Sequence, residues 1–251
     1  MRIFVVNFGK HRVVLSVIGI LLVLSIFVSL STLAVDAIYG EKYLLASAEA
    51  ELSGKIIILD AGHGGEDSGA VGVNGVLEKD LNLEYTLEIG RMLEEKGYVI
   101  VYTRTDDRLL YTEEENVFGI RKISDLKNRC KVGAKYPESI YVSVHMNSFG
   151  SARYSGLQVY YSEKNESSRE LASRLQDKVK NELQPENNRV IKAGKGMYVL
   201  ENVENTAVLI ECGFLTNEEE CKKLSEKEYK KELCFSIVCA IIEYIEGKNE
   251  S

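Results

Sequence analysis

The sequence predicts a single α/β domain with a mostly parallel, twisted sheet flanked by helices, preceded by an apolar N-terminal segment. After residue 54, short apolar runs that are typical of strands alternate with helical patterns. The composition, with 45% hydrophobic and 27% charged residues, is that of a globular protein and excludes a disordered or fibrous chain. We therefore divide the chain into an N-terminal signal-anchor or signal peptide (1–38), a linker (39–54) and one domain (55–247).

The N-terminal segment has the character of a membrane span. Residues 13–35 carry no charge, and a helix needs about 20 such residues to cross a hydrocarbon core. Arg2 and Arg12 precede this stretch while Asp36 and Glu41 follow it, which predicts that the N-terminus lies in the cytoplasm and the domain outside it. Small residues after the segment also suit a signal-peptide cleavage site, so the protein is expected to be extracytoplasmic and either membrane-anchored or secreted.

The elements of the domain follow from hydrophobic periodicity and from glycines and prolines that end each pattern. The predicted strands are 55–60, 98–103, 140–145, 157–161, 198–200 and 206–211. The predicted helices are 78–96, about 120–135, 166–183 and about 226–246. The first strand is apolar throughout, which is typical of a strand buried on both faces. The last helix places its apolar residues on one stripe.

Charge and cysteine usage narrow the classes of function. The net charge is −7 and no basic patch is visible, which argues against a nucleic-acid partner. The five cysteines are odd in number, lack a CxxC pair and lie in apolar contexts, so we expect buried free thiols rather than a disulfide framework. They are Cys130, Cys212, Cys221, Cys234 and Cys239.

Polar residues stand at the ends of three predicted strands. His63 follows the first strand, His145 closes the third and Glu211 closes the last. The carboxyl ends of parallel strands meet at one edge of a sheet, where ligands bind. Catalytic zinc commonly takes two histidines and one carboxylate and leaves the fourth position to water. Glu78, in the first turn of the first predicted helix, is the natural third ligand.

Each of these signals also has a structural interpretation. A histidine at a strand end can be structural, and a glutamate at a helix start is favoured by the helix dipole. A buried glutamate is costly unless it is paired, and an ion pair of Glu211 with Arg104 or Arg129 would explain it without catalysis. The GHGG run around His63 lacks the Gly-Lys-Ser/Thr ending of a phosphate-binding loop. Together the residues favour a metallohydrolase.

Several motifs, in one order along the chain, extend this interpretation. They are ILDAGHGG (58–65), DSGA (67–70), EKDLNL (78–83), TRTD (103–106), SVHMN (143–147), GLQVYY (156–161) and VLIECGFLTN (208–217). In these motifs the chain resembles the zinc-dependent N-acetylmuramoyl-L-alanine amidases, the type 3 amidase family, over roughly residues 55–245. The resemblance implies that His63, Glu78 and His145 bind Zn²⁺ and that Glu211 is the catalytic carboxylate.

The resemblance also implies the substrate and the setting. The family cleaves the amide between N-acetylmuramic acid and L-alanine in bacterial peptidoglycan. An apolar N-terminal segment with a bare catalytic domain is similar to the single-domain subgroup of spore-forming bacteria that prepares cortex peptidoglycan for germination. Removal of the peptide would then allow another enzyme to form muramic lactam. The lack of a predicted wall-binding repeat leaves room for an accessory protein that the sequence does not identify.

Two other functions are compatible with an amidase-like fold. The first is an anchored, non-catalytic protein that binds the cell wall or a partner, whose signature would be a lost ligand or a lost catalytic carboxylate. All four positions are intact, which argues against it. The second is a zinc peptidase that acts on the stem peptides. It would share the metal site but leave the bond between muramic acid and alanine uncut.

Overall fold

The computed structural model describes residues 56–117 and 119–249, together with Leu22, Leu24 and Ser25. The chain divides into two units, Met1–Glu49 and Ala50–Ser251, and the elements below belong to the second. Apart from those three residues, the predicted N-terminal segment (1–38) and linker (39–54) lie outside the described residues. Among the residues that are described, no helix has the length and apolar character needed to cross a membrane.

The domain is built from six strands and six α-helices within the described residues. The strands are β1 (Ile56–Ala61), β2 (Val99–Tyr102), β3 (Ile140–Asn147), β4 (Gln158–Tyr161), β5 (Lys192–Ala193) and β6 (Thr206–Phe214). The helices are α1 (Glu78–Glu94), α2 (Arg121–Lys135), α3 (Ser167–Glu182), α4 (Tyr198–Asn202), α5 (Glu218–Ser225) and α6 (Lys227–Asn249). A 3₁₀ turn spans Glu113–Glu115.

One sheet holds all six strands in the order β2-β1-β3-β6-β4-β5. Each neighbouring pair is parallel except β4 and β6, which run antiparallel. The predicted single α/β domain with a mostly parallel sheet is therefore confirmed. The register places His145 of β3 beside Glu211 of β6, which also pairs with Gln158 of β4. Because β1, β3 and β6 are consecutive in this order, the three predicted strand ends with polar residues lie side by side.

Apolar side chains cover both faces of the central strands. On one face, Ile57, Val142 and Ile210 pack with residues of α1, α3 and α6. On the other, Ile58 and Tyr141 pack with residues of α2 and α4. Burial on both faces explains why β1, β3 and β6 read as nearly continuous apolar runs in the sequence.

The prediction of a strand at 198–200 is wrong, because these residues begin the short helix α4. A three-residue apolar run cannot distinguish a strand from a buried turn of helix by its periodicity. In the structure, Glu201 N–H donates to the Met197 carbonyl and Val203 N–H to the Val199 carbonyl. Val199 and Leu200 are buried by this turn against the second face of the sheet. The strand β5 and the helix α5 have no counterpart among the predicted elements.

All five cysteines lie in the described part of the chain, and all five are free thiols. Cys212, Cys221 and Cys234 are fully buried, whereas Cys130 and Cys239 are partly buried. The expectation of free thiols rather than a disulfide framework therefore agrees with the structure. The buried thiols act as small apolar side chains in the core.

Candidate active site

The predicted site residues converge at the carboxyl edge of the sheet. His63 lies two residues beyond the end of β1, and His145 lies near the end of β3. Glu211 stands beside His145 on β6. Glu78 is the first residue of α1 and is only 5% exposed. The four positions that the sequence singles out thus meet in one place, as expected from the convergence of parallel strand ends.

His63, Glu78 and His145 form a group that can hold a metal ion, because their donor atoms all lie within 4.8 Å of one another. His63 Nε2 is 3.2 Å from Glu78 Oε1, and His145 Nδ1 is 2.9 Å from the same oxygen. The two imidazole centroids are 5.0 Å apart, and the rings are inclined at 76°. Two nitrogen donors and one carboxylate are a donor set that divalent zinc takes in catalytic sites. The residues therefore fit such a metal.

The carboxylate of Glu78 is fixed from several directions. Ala70 N–H donates to Oε2 at 2.8 Å, and Met146 N–H donates to Oε1 at 3.3 Å. Burial alone would raise the pKa of Glu78, but hydrogen bonds with His145 and His63 hold that pKa well below its usual value. Glu78 is therefore an ionised, oriented carboxylate that faces both imidazole rings.

His63 occupies an unusual backbone conformation with φ of 61°. Non-glycine residues in this left-handed region cost of order 1 kcal/mol and cluster at active sites. Its Nδ1 lies 2.9 Å from Asp67 Oδ2, so the ring is held while Nε2 faces Glu78. Burial lowers the pKa of His63, but the hydrogen bonds with Asp67 and Glu78 outweigh burial and raise it to about 9. Lys122 in turn pairs with Asp67 at 3.1 Å.

Glu211 differs from Glu78 in its surroundings. The residue is half-buried, and its Oε2 is buried with no hydrogen-bond partner among the described residues. Burial raises the pKa of Glu211, the charge of His145 lowers it, that of Glu78 raises it and that of His63 lowers it; the net result is a pKa of about 7. An unpaired carboxylate oxygen beside the metal-binding group is available to a substrate or a water molecule.

The alternative that Glu211 forms an ion pair with Arg104 or Arg129 is wrong. Arg129 pairs with Asp60 at 2.6 Å and with Asp125 at 2.8 Å. The hydrogen bonds of the Arg104 guanidinium go to backbone carbonyl groups. Neither arginine therefore accounts for the burial of the Glu211 carboxylate.

Two supporting residues of the site were not identified from the sequence. Asp67 holds the His63 ring, and Asn82 Nδ2 donates to the Gly62 carbonyl at 3.1 Å and to Glu78 Oε1 at 3.4 Å. Asn82 stands four residues after Glu78 on α1, a spacing that places two side chains on the same face of a helix. That spacing could have indicated Asn82 once Glu78 was chosen as a ligand.

The comparison with known protein families decides the class of the protein. Residues 57–243 match the family described as N-acetylmuramoyl-L-alanine amidase. The chain belongs to this amidase family. The matched region begins within β1 and ends within α6, so it includes all four site positions. The predicted enzyme class, an N-acetylmuramoyl-L-alanine amidase that hydrolyses peptidoglycan, is confirmed.

Individual relatives agree with the family assignment. The amidase is 36% identical over 199 residues to a germination-specific N-acetylmuramoyl-L-alanine amidase of Bacillus subtilis, and the match covers 79% of this chain and 83% of the relative. It also resembles the solved structure of the CwlD amidase from Clostridioides difficile in complex with the GerS lipoprotein. That match has a TM-score of 0.73 at 38% identity and covers 76% of this chain and 98% of the other.

A more distant solved structure shows how widely the fold is shared. The N-acetylmuramoyl-L-alanine amidase AmiC2 of Nostoc punctiforme matches with a TM-score of 0.65 at 28% identity, over 77% of this chain and 98% of that one. The same single α/β domain therefore serves amidases of bacteria from different groups.

Proposed function

We propose that this amidase depends on zinc and cleaves the amide between the lactyl group of N-acetylmuramic acid and L-alanine. His63, Glu78 and His145 would hold the metal ion. The observation that carries the proposal is the convergence of these three donors within 4.8 Å at the carboxyl edge of the sheet. Two imidazoles and one carboxylate leave a coordination position free for water, as in other catalytic zinc sites.

Glu211 has the position and the chemistry of the general base. Zinc at this site would polarise the scissile carbonyl and lower the pKa of water. The free oxygen of Glu211, beside His145 in register, accepts the proton of the attacking water. The same carboxyl group then returns that proton to the nitrogen of the departing alanine. Asp67 contributes by holding the ring of His63 in a fixed orientation.

A cleft beside β4 offers room for the remainder of the substrate. Its volume is about 600 Å³, and its lining includes Tyr154, Arg189 and Glu220. Arg189 Nη1 donates to Gln158 Oε1 at 3.1 Å, and Gln158 is the register neighbour of Glu211. The cleft therefore adjoins the strand next to the proposed base. We place a part of the muropeptide beyond the cleaved amide in this cleft, because its lining residues include neither Glu211 nor any of the three proposed metal ligands.

The relatives support a role in the spore cortex. The Bacillus subtilis relative is named as germination-specific, and the Clostridioides difficile structure holds the lipoprotein GerS. We propose that this amidase likewise acts on cortex peptidoglycan, where it prepares the glycan for muramic lactam formation, and that an accessory protein assists it. The charge pattern around residues 13–35 supports action outside the cytoplasm, with residues 1–38 as a membrane anchor or a cleaved signal peptide.

The proposed function is tested with the full chain as wild type, His63→Ala and Glu211→Gln, by zinc content and by mass spectrometry of digested muropeptides. Wild type should hold about one zinc ion per chain and release intact stem peptides from muramic acid. His63→Ala should lose both properties. Glu211→Gln should keep zinc, while its turnover falls by at least about 100-fold.

Two results would contradict the assignments. A Glu211→Gln variant that still releases peptide at the wild-type rate would exclude Glu211 as the base. Products in which the bond between muramic acid and alanine is uncut, but the stem peptide is shortened, would indicate a zinc peptidase instead.

A further inference from the structure

A buried polar network lies beneath the proposed metal site, and its centre is a pair of arginines. Arg104 is 1% exposed and Arg129 is 2% exposed. A buried guanidinium is costly unless its donors are satisfied. Arg129 has two acidic partners, Asp60 and Asp125, that account for its burial. The hydrogen bonds of Arg104 go to backbone carbonyls only, so its burial calls for another explanation.

Arg104 holds the turn that carries His63. Its Nε donates to the Ala61 carbonyl at 2.9 Å, and its Nη2 donates to the Gly62 carbonyl at 3.0 Å. Its Nη1 donates to the carbonyl of Asp106, two residues further along the chain, at 3.0 Å. Ala61 and Gly62 immediately precede His63, whose backbone is left-handed. The guanidinium thus fixes the two peptide groups that lead into this residue.

The same guanidinium also reaches the segment of the second ligand. Arg104 Nη2 donates to the Lys79 carbonyl at 2.8 Å, and Lys79 directly follows Glu78. One planar group therefore joins the backbone before His63 to the first turn of α1. The Gly62 and Lys79 carbonyls, one from each ligand-bearing segment, both accept from Arg104 Nη2.

Arg129 secures the same turn from the other side. Its Nη1 donates to the Ala61 carbonyl and its Nη2 to the His63 carbonyl, both at 2.7 Å. Its ion-pair partner Asp60 accepts a hydrogen bond from Ser143 Oγ at 2.6 Å, two residues before His145. The network therefore extends from the first ligand to the strand of the third.

We propose that Arg104 is a positioning residue, which sets the separation between His63 and Glu78 and thereby the affinity for the metal ion. This inference rests on the proposed zinc site. Arg104 touches neither the metal nor the substrate and acts through the two backbone segments that it joins. Residues that orient metal ligands in this way typically contribute about 10- to 100-fold to metal affinity.

Lysine is the informative replacement for Arg104. It keeps the positive charge and most of the aliphatic stem, so the electrostatic balance with Asp60 is retained. A single ammonium group, however, lacks the planar fork that reaches Ala61, Gly62 and Lys79 together. A loss of affinity in Arg104→Lys would therefore be due to geometry rather than charge.

Asn205 offers a matched control at the opposite end of the sheet. It is buried, and its Nδ2 donates to the Tyr136 carbonyl at 2.7 Å and the Ser139 carbonyl at 3.2 Å. Asn205 directly precedes β6, at the strand ends away from the metal site. Asn205→Ala thus removes buried hydrogen bonds to carbonyl groups without affecting the ligand-bearing turns.

The experiment measures the zinc dissociation constant by competition with a chelator, beside the thermal unfolding of the metal-free protein. Full-length wild type, Arg104→Lys and Asn205→Ala are compared. We expect both variants to unfold at lower temperature than wild type. Only Arg104→Lys should bind zinc more weakly, by about 10- to 100-fold. If Arg104→Lys fails to fold, Arg104→Gln serves instead, since its side-chain amide keeps a donor near these carbonyl groups but lacks the fork that joins Ala61, Gly62 and Lys79.

The outcomes separate this inference from the proposed function. If wild type binds zinc and Arg104→Lys, or Arg104→Gln in its place, binds it equally well, Arg104 is only structural and the inference is wrong. If wild type itself binds no zinc while remaining folded, the proposed zinc site fails, and the positioning role fails with it. Equal weakening in Asn205→Ala would also overturn the inference, because loss of stability alone would then explain the effect.

Discussion

At the scale of single residues, Gly62 lies directly against the imidazole ring of His145. A Cβ atom at Gly62 would lie 2.2 Å from both Cε1 and Nε2 of the His145 ring. No real Cβ contact is that short, so the imidazole would have to move. Its position is constrained, because Nδ1 faces Glu78 Oε1 at 2.9 Å. The absence of a side chain at Gly62 is therefore a requirement of the site and not only of the turn.

We predict that Gly62→Ala displaces the His145 ring, so that zinc binding and amidase activity are both lost. Zinc content and peptide release measure the effect. Gly150→Ala is the matched control, because a Cβ atom there would meet nothing within 4 Å. It should behave as wild type in both assays. Normal zinc binding by Gly62→Ala would show that the ring can shift without loss of the ligand.

At the scale of elements, the turn between β6 and α5 joins the site to the loop that follows β3. Asn217 caps α5, since its Oδ1 accepts from Glu220 N–H at 3.0 Å, and its Nδ2 donates to the Ala152 carbonyl at 2.8 Å. Glu220 accepts from the N–H groups of Phe214 and Gly156, each at 2.7 Å. The motif at 208–217 thus supplies Glu211 and, through Asn217, also holds the loop after β3 in place.

We predict that Asn217→Ala lowers the free energy of unfolding by about 1 kcal/mol, because the helix cap is lost. Urea denaturation measures this change. Asn188→Ala, at an exposed asparagine that caps no helix, should change the free energy of unfolding by less than about 0.5 kcal/mol. An equal effect of the two substitutions would show that the cap contributes nothing beyond an ordinary surface asparagine.

The sequence predicts those elements whose physical cause is local. The strands that carry His145 and Glu211 are recognisable because burial on both faces makes them apolar runs, and their polar ends then mark the site. The direction of β4 is not predictable in this way, since antiparallel pairing with β6 depends on the path of the intervening loops. The sequence offers Arg104 and Arg129 only as ion-pair partners of Glu211, because most of the carbonyl groups that they contact lie 25 to 68 positions away along the chain.

At the scale of the whole molecule, Asp60 connects several elements through one buried carboxylate. It accepts hydrogen bonds from Thr103 beyond β2 and Ser143 in β3, and it pairs with Arg129 of α2. Burial would raise the pKa of Asp60, but the charge of Arg129 and the hydrogen bonds from Ser143 and Thr103 hold it below its usual value. Folding is therefore linked to ionisation of this group.

The sign of this linkage follows from the lowered pKa. The stabilisation by Asp60 is fully present above the ordinary aspartate pKa of 3.8 and is lost as the pH falls through the lower pKa of the folded state. We predict that Asp60→Asn is less stable than wild type by about 3 kcal/mol at neutral pH, because Arg129 then keeps only Asp125 as an acidic partner in the interior.

The difference between the two proteins should shrink as the pH falls below about 4, since wild type then loses the charge that the variant never had. Urea denaturation of the full chain from neutral to acidic pH measures the two curves. Asp177→Asn, at an exposed aspartate, controls for the removal of one negative charge. A constant gap between wild type and Asp60→Asn down to the acid limit of folding would show that Asp60 contributes through shape and neutral hydrogen bonds. The ion pair with Arg129 would then not be the interaction that holds these elements together.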